Sequence, residues 1–189
     1  MTDADRVRAA LADAADLHAR TAGAAGVIAE AAGRIRTALD AGRKVLVFGN
    51  GGSATDAQHF ATELVGRFLR ERRGWPVIAL TSDSAVLTAV SNDYGFDQVF
   101  VRQVEALGQP GDVAFAITTS GGSVNVNLAL RGARAAGLVT IGLTGRDGGE
   151  TAGLVDLHVN VPGLNSPQVQ EVHRTVLHVM CELIERADA

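Results

Sequence analysis

The chain has 189 residues, with 17 basic against 21 acidic side chains and a net charge of −4 at pH 7. It has no basic run that could track a phosphodiester backbone, so a nucleic-acid partner is not expected. The length suits one domain over residues 1–189 with a single substantial core. Its lone cysteine, Cys181, excludes a disulfide framework and a Cys-based zinc site and fits a reducing cytoplasm. No run of about 18 apolar residues occurs and the N-terminus lacks the apolar stretch of a secretion signal, so neither export nor a membrane span is expected.

In chain order, Ala4 to Ala41 carries two helical patterns broken near Thr21-Ala22-Gly23, with Leu11, Ala15, Leu17, Val27, Ile28, Ile35 and Leu39 as apolar members. Gly42 stops the second helix. This N-terminal pair, residues 1–42, is expected to serve packing and oligomerisation, and residues 43–189 an α/β core. From Lys44, the only lysine, strands and helices alternate. Strands are predicted at 44–48, 77–80, 113–117, 139–143 and 157–161, and helices at 54–67, 84–90, 97–107, 124–136 and about 166–186. Short apolar runs separated by helices imply a doubly wound, five-stranded parallel sheet of flavodoxin-like order, closed by a long C-terminal helix.

Two hydroxyl-bearing glycine loops follow the first and third strands: Gly49-Asn50-Gly51-Gly52-Ser53 and Thr118-Thr119-Ser120-Gly121-Gly122-Ser123. Ligands of such sheets sit at the carboxyl ends of strands. Free N–H groups at the following helix N-termini, with Ser and Thr hydroxyls, suit a phosphate and a sugar.

The helix after the first loop places His59 and Glu63 four residues apart, on one face and over this pocket. On the C-terminal helix, Val169, Val172, Val176, Val179, Met180 and Leu183 form an apolar stripe, and Gln170, Arg174, His178 and Glu182 a polar flank. His173 leans toward the stripe and reads as a packed core histidine, which leaves His178 as the chemical candidate. Gln170 and His178 lie about 12 Å apart along a straight helix, so a shared ion needs both to lean inward.

The stretches GNGGSATDAQHFATELVGRF, SNDYGFDQVF, ITTSGGSVN, LTGRDGG and VQEVHRTVLH resemble, in order and spacing, the sugar isomerase (SIS) domain family, most closely the sedoheptulose-7-phosphate isomerases. The resemblance implies a cytoplasmic homotetramer with active sites between subunits. It also implies conversion of sedoheptulose 7-phosphate into D-glycero-D-manno-heptose 7-phosphate, the first step toward nucleotide-activated heptose. Carried over residue by residue, it makes Glu63 and His178 catalytic and His59, Glu63, Gln170 and His178 the ligands of one zinc ion per subunit. The substrate contacts it implies are Asn50, Gly51, Gly52, Ser53, Glu63, Asn92, Asp93, Thr118, Thr119, Ser120, Ser123 and Gln170. Thr118 and Gly122 stand where the family usually has Ser and Asn, and Pro167 where many members carry an acidic residue. Moving a proton between adjacent carbons needs a base over carbon and an acid at oxygen, roles that a glutamate and a histidine fill. The run IALTSDSAVLTAVSND also resembles a non-catalytic relative of this fold, the DnaA initiator-associating protein. That pattern lacks the catalytic glutamate and second histidine, so Glu63 and His178 favour the enzyme. An isomerase of another phosphosugar is a third reading.

Overall fold

The structure, a computed structural model, describes residues 1–186. In chain order the elements are helices α1 (Asp3–Thr21) and α2 (Ala25–Asp40), strand β1 (Val45–Gly49), helix α3 (Gly52–Val65), strand β2 (Val77–Ala79), helices α4 (Ser84–Tyr94) and α5 (Val101–Leu107), strand β3 (Val113–Thr118), helix α6 (Val124–Ala135), strands β4 (Val139–Gly145) and β5 (Leu157–Val161), and helix α7 (Ser166–Glu185). The strands form one wholly parallel sheet in the order β2-β1-β3-β4-β5, as the alternation predicts. Val45 pairs with Val77 on one side and Val113 on the other, which sets the register around the central strands.

Both faces of the sheet are covered, so β1 and β3 are buried along their whole length. Val45, Val47, Phe115 and Ile117 face α2, α3 and α7; Leu46, Phe48, Ala114 and Ala116 face α5 and α6. On the first face the Phe60 ring of α3 meets Phe115 edge to face, 5.2 Å between centroids. The lone lysine serves the sheet, its ammonium pairing with the buried Asp112 at 2.5 Å.

Several boundaries differ from the sequence reading for local reasons. Helix α1 starts one residue early because Thr2 and Asp5 form a reciprocal capping box, with Asp5 N donating to Thr2 Oγ1 and Thr2 N to Asp5 Oδ2. Helix α3 starts at Gly52, two residues early, because Gly51 (φ 57°, ψ −122°) turns the chain where a side chain would be strained. Helix α4 runs on to Tyr94, and the helix expected from Asp97 opens as a 3₁₀ turn, Phe96–Gln98, with α5 proper beginning at Val101. One apolar assignment is corrected: Val179 projects from α7 as an exposed side chain, the stripe being completed by Leu177, Cys181 and Ile184. Leu11 is 68% exposed on α1.

Candidate active site

The site begins where the chain winding reverses. After β1 the connection crosses through α3 to β2, and after β3 it crosses the other way through α6 to β4, so both glycine loops open at the β1/β3 switch point. Asn50 and Asn125 tie them together through reciprocal amide bonds of 2.8 and 2.9 Å. Asn125 is buried and was missed by the sequence reading; its only signal is an amide in the first turn of the helix after a hydroxyl loop.

In the second loop, Thr118 Oγ1 accepts from Gly121 N at 3.3 Å and Ser120 Oγ accepts from Gly122 N at 3.2 Å. Ser123 is the N-cap residue of α6 and makes no side-chain capping bond; its hydroxyl lies beside the helix N-terminus, 3.4 Å from Thr118 Oγ1. Thr119 Oγ1 donates to Ser166 Oγ at the start of α7. Gly121 (φ 66°) lies against the Gly148 carbonyl, where a Cβ would clash, and its own carbonyl accepts from Thr151 N at 3.0 Å. The LTGRDGG stretch is thus the buttress of the hydroxyl loop. Pro167 sits in the first turn of α7, a position that needs no N–H donor.

The reactive groups lie along a second line. Helices α3 and α7 pack in parallel with a nearly constant sequence offset: Gly52 meets Gln170, Asp56 meets Arg174 and His59 meets His178. The Gln170 amide rests on Gly52, where any Cβ would strike it. Arg174 Nε and Nη2 both donate to Asp56 Oδ1, at 3.0 and 2.6 Å. Burial raises the Asp56 pKa while Arg174 pulls it back down. A cleft of about 700 Å³, lined by Gly52, Thr55, Asp56, Pro167, Gln170 and Arg174 among others, opens over this part of the seam.

One turn beyond Asp56 and Arg174, His59 Nε2 and His178 Nε2 face each other at 2.7 Å, and Glu63 Oε1 lies 3.4 Å from His59 Nε2. Each of the three residues offers one ligand atom, and these atoms lie within 4.8 Å of one another. Burial lowers the His59 pKa, with Arg174 and His178 adding to the effect and Glu63 and Asp56 opposing it. The neutral form this favours presents a lone pair, as metal binding and base chemistry require. The Phe68 ring stacks on His178, with centroids 5.6 Å apart and planes 23° from parallel.

The structure therefore brings His59, Glu63 and His178 into one cluster, and Asn50, Gly51, Gly52, Ser53, Thr118, Thr119, Ser120 and Ser123 into two adjacent loops. Gln170 lies at the loop end of the seam rather than among the histidines. Asn92 and Asp93 are exposed near the end of α4, where the Asn92 amide donates to Asp93 Oδ1 at 2.8 Å. His173 is fully buried and donates through Nε2 to the Thr144 carbonyl at 3.0 Å, a core histidine as its position on the stripe predicts.

The SIS domain family matches residues 11–145. A phosphoheptose isomerase of Geobacter sulfurreducens is 56% identical over 162 residues, 86% of each chain. One of Rhodospirillum rubrum is 51% identical over 183 residues, 97% of each chain. Among solved structures, a phosphoheptose isomerase from Francisella tularensis superposes with a TM-score of 0.95 at 39% identity, covering 99% of this chain and 100% of that one. The one from Neisseria gonorrhoeae gives 0.93 at 40%, covering 97% and 99%.

Proposed function

This chain belongs to the SIS domain family and, within it, to the phosphoheptose isomerases, a membership from which we infer how its residues convert sedoheptulose 7-phosphate into D-glycero-D-manno-heptose 7-phosphate. The observation that carries the assignment of roles is the convergence of His59 Nε2, Glu63 Oε1 and His178 Nε2 on the α3/α7 seam, whose α3 side begins at the first glycine loop.

The 7-phosphate is held at the N-terminus of α6 by Ser120, Ser123 and the flanking Thr118 and Thr119, where loop N–H groups and the helix dipole favour an anion. Asn50, Gly51, Gly52, Ser53 and Gln170 line the sugar chain, with Asn92 and Asp93 further substrate contacts. Binding at the phosphate orients the distant reacting carbons. Glu63 directs Oε1 toward His59, which leaves Oε2 to take the C1 proton of the ketose and return it to C2. His178 protonates O2 as the enediol forms and collects the O1 proton as the aldehyde appears, so two shuttled protons balance the isomerisation. Two imidazole nitrogens and a carboxylate oxygen are a donor set suited to zinc. His59, Glu63 and His178 would hold the ion, joined by Gln170 if its amide swings along the seam. Bound there, zinc would supply a Lewis acid for the carbonyl oxygen.

We place the enzyme in the cytoplasm as a homotetramer of single-domain subunits with shared active sites; among the described residues no helix is long and apolar enough to cross a membrane. The enzyme is favoured over an interaction protein of the same fold because the Glu63 and His178 pair is present and in contact with His59. The test is incubation of the purified protein with sedoheptulose 7-phosphate, followed by NMR. Appearance of aldose anomeric signals is expected, and an unchanged spectrum would overturn the assignment.

A further inference from the structure

Seven residues beyond His178, at the end of α7, Glu185 is only 6% exposed yet holds a carboxylate. Its Oε1 accepts from Phe68 N at 2.7 Å and from Arg72 Nε at 3.0 Å; its Oε2 accepts from Leu69 N at 2.7 Å and Arg70 N at 3.0 Å. Burial raises its pKa, but the three N–H groups and Arg72 outweigh burial and leave it below the ordinary glutamate value. The group is therefore a carboxylate gripping three successive backbone amides. Arg72 continues the connection. Its Nη2 donates to the Glu63 carbonyl at 2.8 Å and its Nη1 to the Leu64 and Gly66 carbonyls at 2.8 and 2.9 Å, closing the C-terminal end of α3. The guanidinium also lies 4.0 Å from the centre of the Trp75 ring.

This cluster binds together the end of the helix bearing His178, the end of the helix bearing Glu63, and the loop bearing Phe68. Phe68 in turn lies flat on the His178 ring. An imidazole on a helix surface rotates about its terminal torsion unless something blocks it, because that torsion is broad. A stacked ring held from behind by a buried carboxylate blocks it.

We propose that Glu185 and Arg72 act as positioning residues, holding Phe68 against His178 so that Nε2 stays aimed at His59 and Glu63. This rests on the reading of His178 as the acid–base group at oxygen. Phe68→Leu removes the flat ring and is expected to lower kcat at least about tenfold while KM moves less than about twofold, since misplacing a catalytic group by an ångström costs up to about a hundredfold. Phe68→Tyr recovers kcat. Glu185→Gln, which sets an amide NH₂ against backbone donors, reproduces the Phe68→Leu loss. The double variant loses no more than either single one, because both act through the same ring. The activity-independent readout is the NMR signal of the imidazole N–H proton shared between His59 and His178 in chelator-treated protein. It should be visible in the wild type and lost in Phe68→Leu. A wild-type kcat with a retained proton signal in Phe68→Leu overturns the proposal, as do losses that multiply in the double variant. If Glu185→Gln does not fold, the two Phe68 variants decide alone. If the wild type leaves sedoheptulose 7-phosphate untouched, the assigned reaction falls, and the proton signal still decides the positioning.

Discussion

Acid should weaken this fold by a specific amount through one side chain. His173 is fully buried, its Nε2–H donates to the Thr144 carbonyl at 3.0 Å, and its Nδ1 has no partner among the described residues. Protonation would place a second N–H in an apolar enclosure with no acceptor. Burial accordingly pushes the pKa down to about 4, against a slight upward pull from the bond to Thr144. The unfolded chain takes up this proton near the ordinary value of about 6.5. Between those values the unfolded state binds a proton that the native state refuses, so stability rises with pH. The stabilisation is fully present above the unfolded pKa and is lost as pH falls toward the folded one. At pH 4 the loss is about 3 kcal/mol, from about 2.5 pH units at 1.36 kcal/mol each, less the native state's own half-protonation. His173→Gln keeps a donor for Thr144 but does not titrate. Urea unfolding of both proteins between pH 7 and pH 4, at equal protomer concentration, cancels groups common to both, including His158. The wild type should lose about 3 kcal/mol more than the variant, and parallel pH dependences would refute the reasoning.

Four other outcomes are expected. Glu63→Gln and His178→Gln should each lower kcat about 10²–10⁴-fold without loss of folding, as steady-state kinetics and circular dichroism would report; near-native turnover removes the residue from the mechanism. Ser120→Ala combined with Ser123→Ala should weaken sedoheptulose 7-phosphate binding about tenfold or more by calorimetry, because hydrogen bonds to a charged group are worth about 1.5–3 kcal/mol each; unchanged affinity would make the loop structural. Chelation should abolish activity and zinc restore it at one ion per protomer by metal analysis, and full activity in chelator would leave Glu63 and His178 acting alone. Leu11→Asp, on the exposed face of α1, should lose assembly and activity together when light scattering and turnover are followed on the same samples. A fully active monomer would sink the shared-site reading.

Much of the fold was legible because its signals are local. Runs such as Val45-Leu46-Val47-Phe48, apolar on both faces, have few alternatives to a buried parallel strand, and their alternation with helices fixed the sheet class. Some helix ends were legible, among them the stop at Gly42 and the starts of α6 at Val124 and α7 at Ser166. Those of α1 and α3 depend on the Thr2–Asp5 pair and on the φ of Gly51, which residue types suggest but geometry decides. Exposure of Val179 was not legible either, since an apolar residue at helical spacing carries no label for which surface covers it.

Within the site, the sequence by itself determined which chemistry was available: a His–Glu pair at i,i+4 on one helix, a histidine on the polar flank of another, and hydroxyl loops after two strands. Only the tertiary structure decided how these meet. The parallel packing of α3 on α7 sets Asp56 against Arg174 and His59 against His178, and leaves Gln170 at Gly52 rather than beside the histidines. The same packing brings Phe68 onto His178 and buries Glu185 against a loop more than a hundred residues earlier. The physical reason is range: periodicity and capping act within a few turns of the chain. A contact between side chains more than a hundred residues apart exists only once the sheet has placed the helices that carry them.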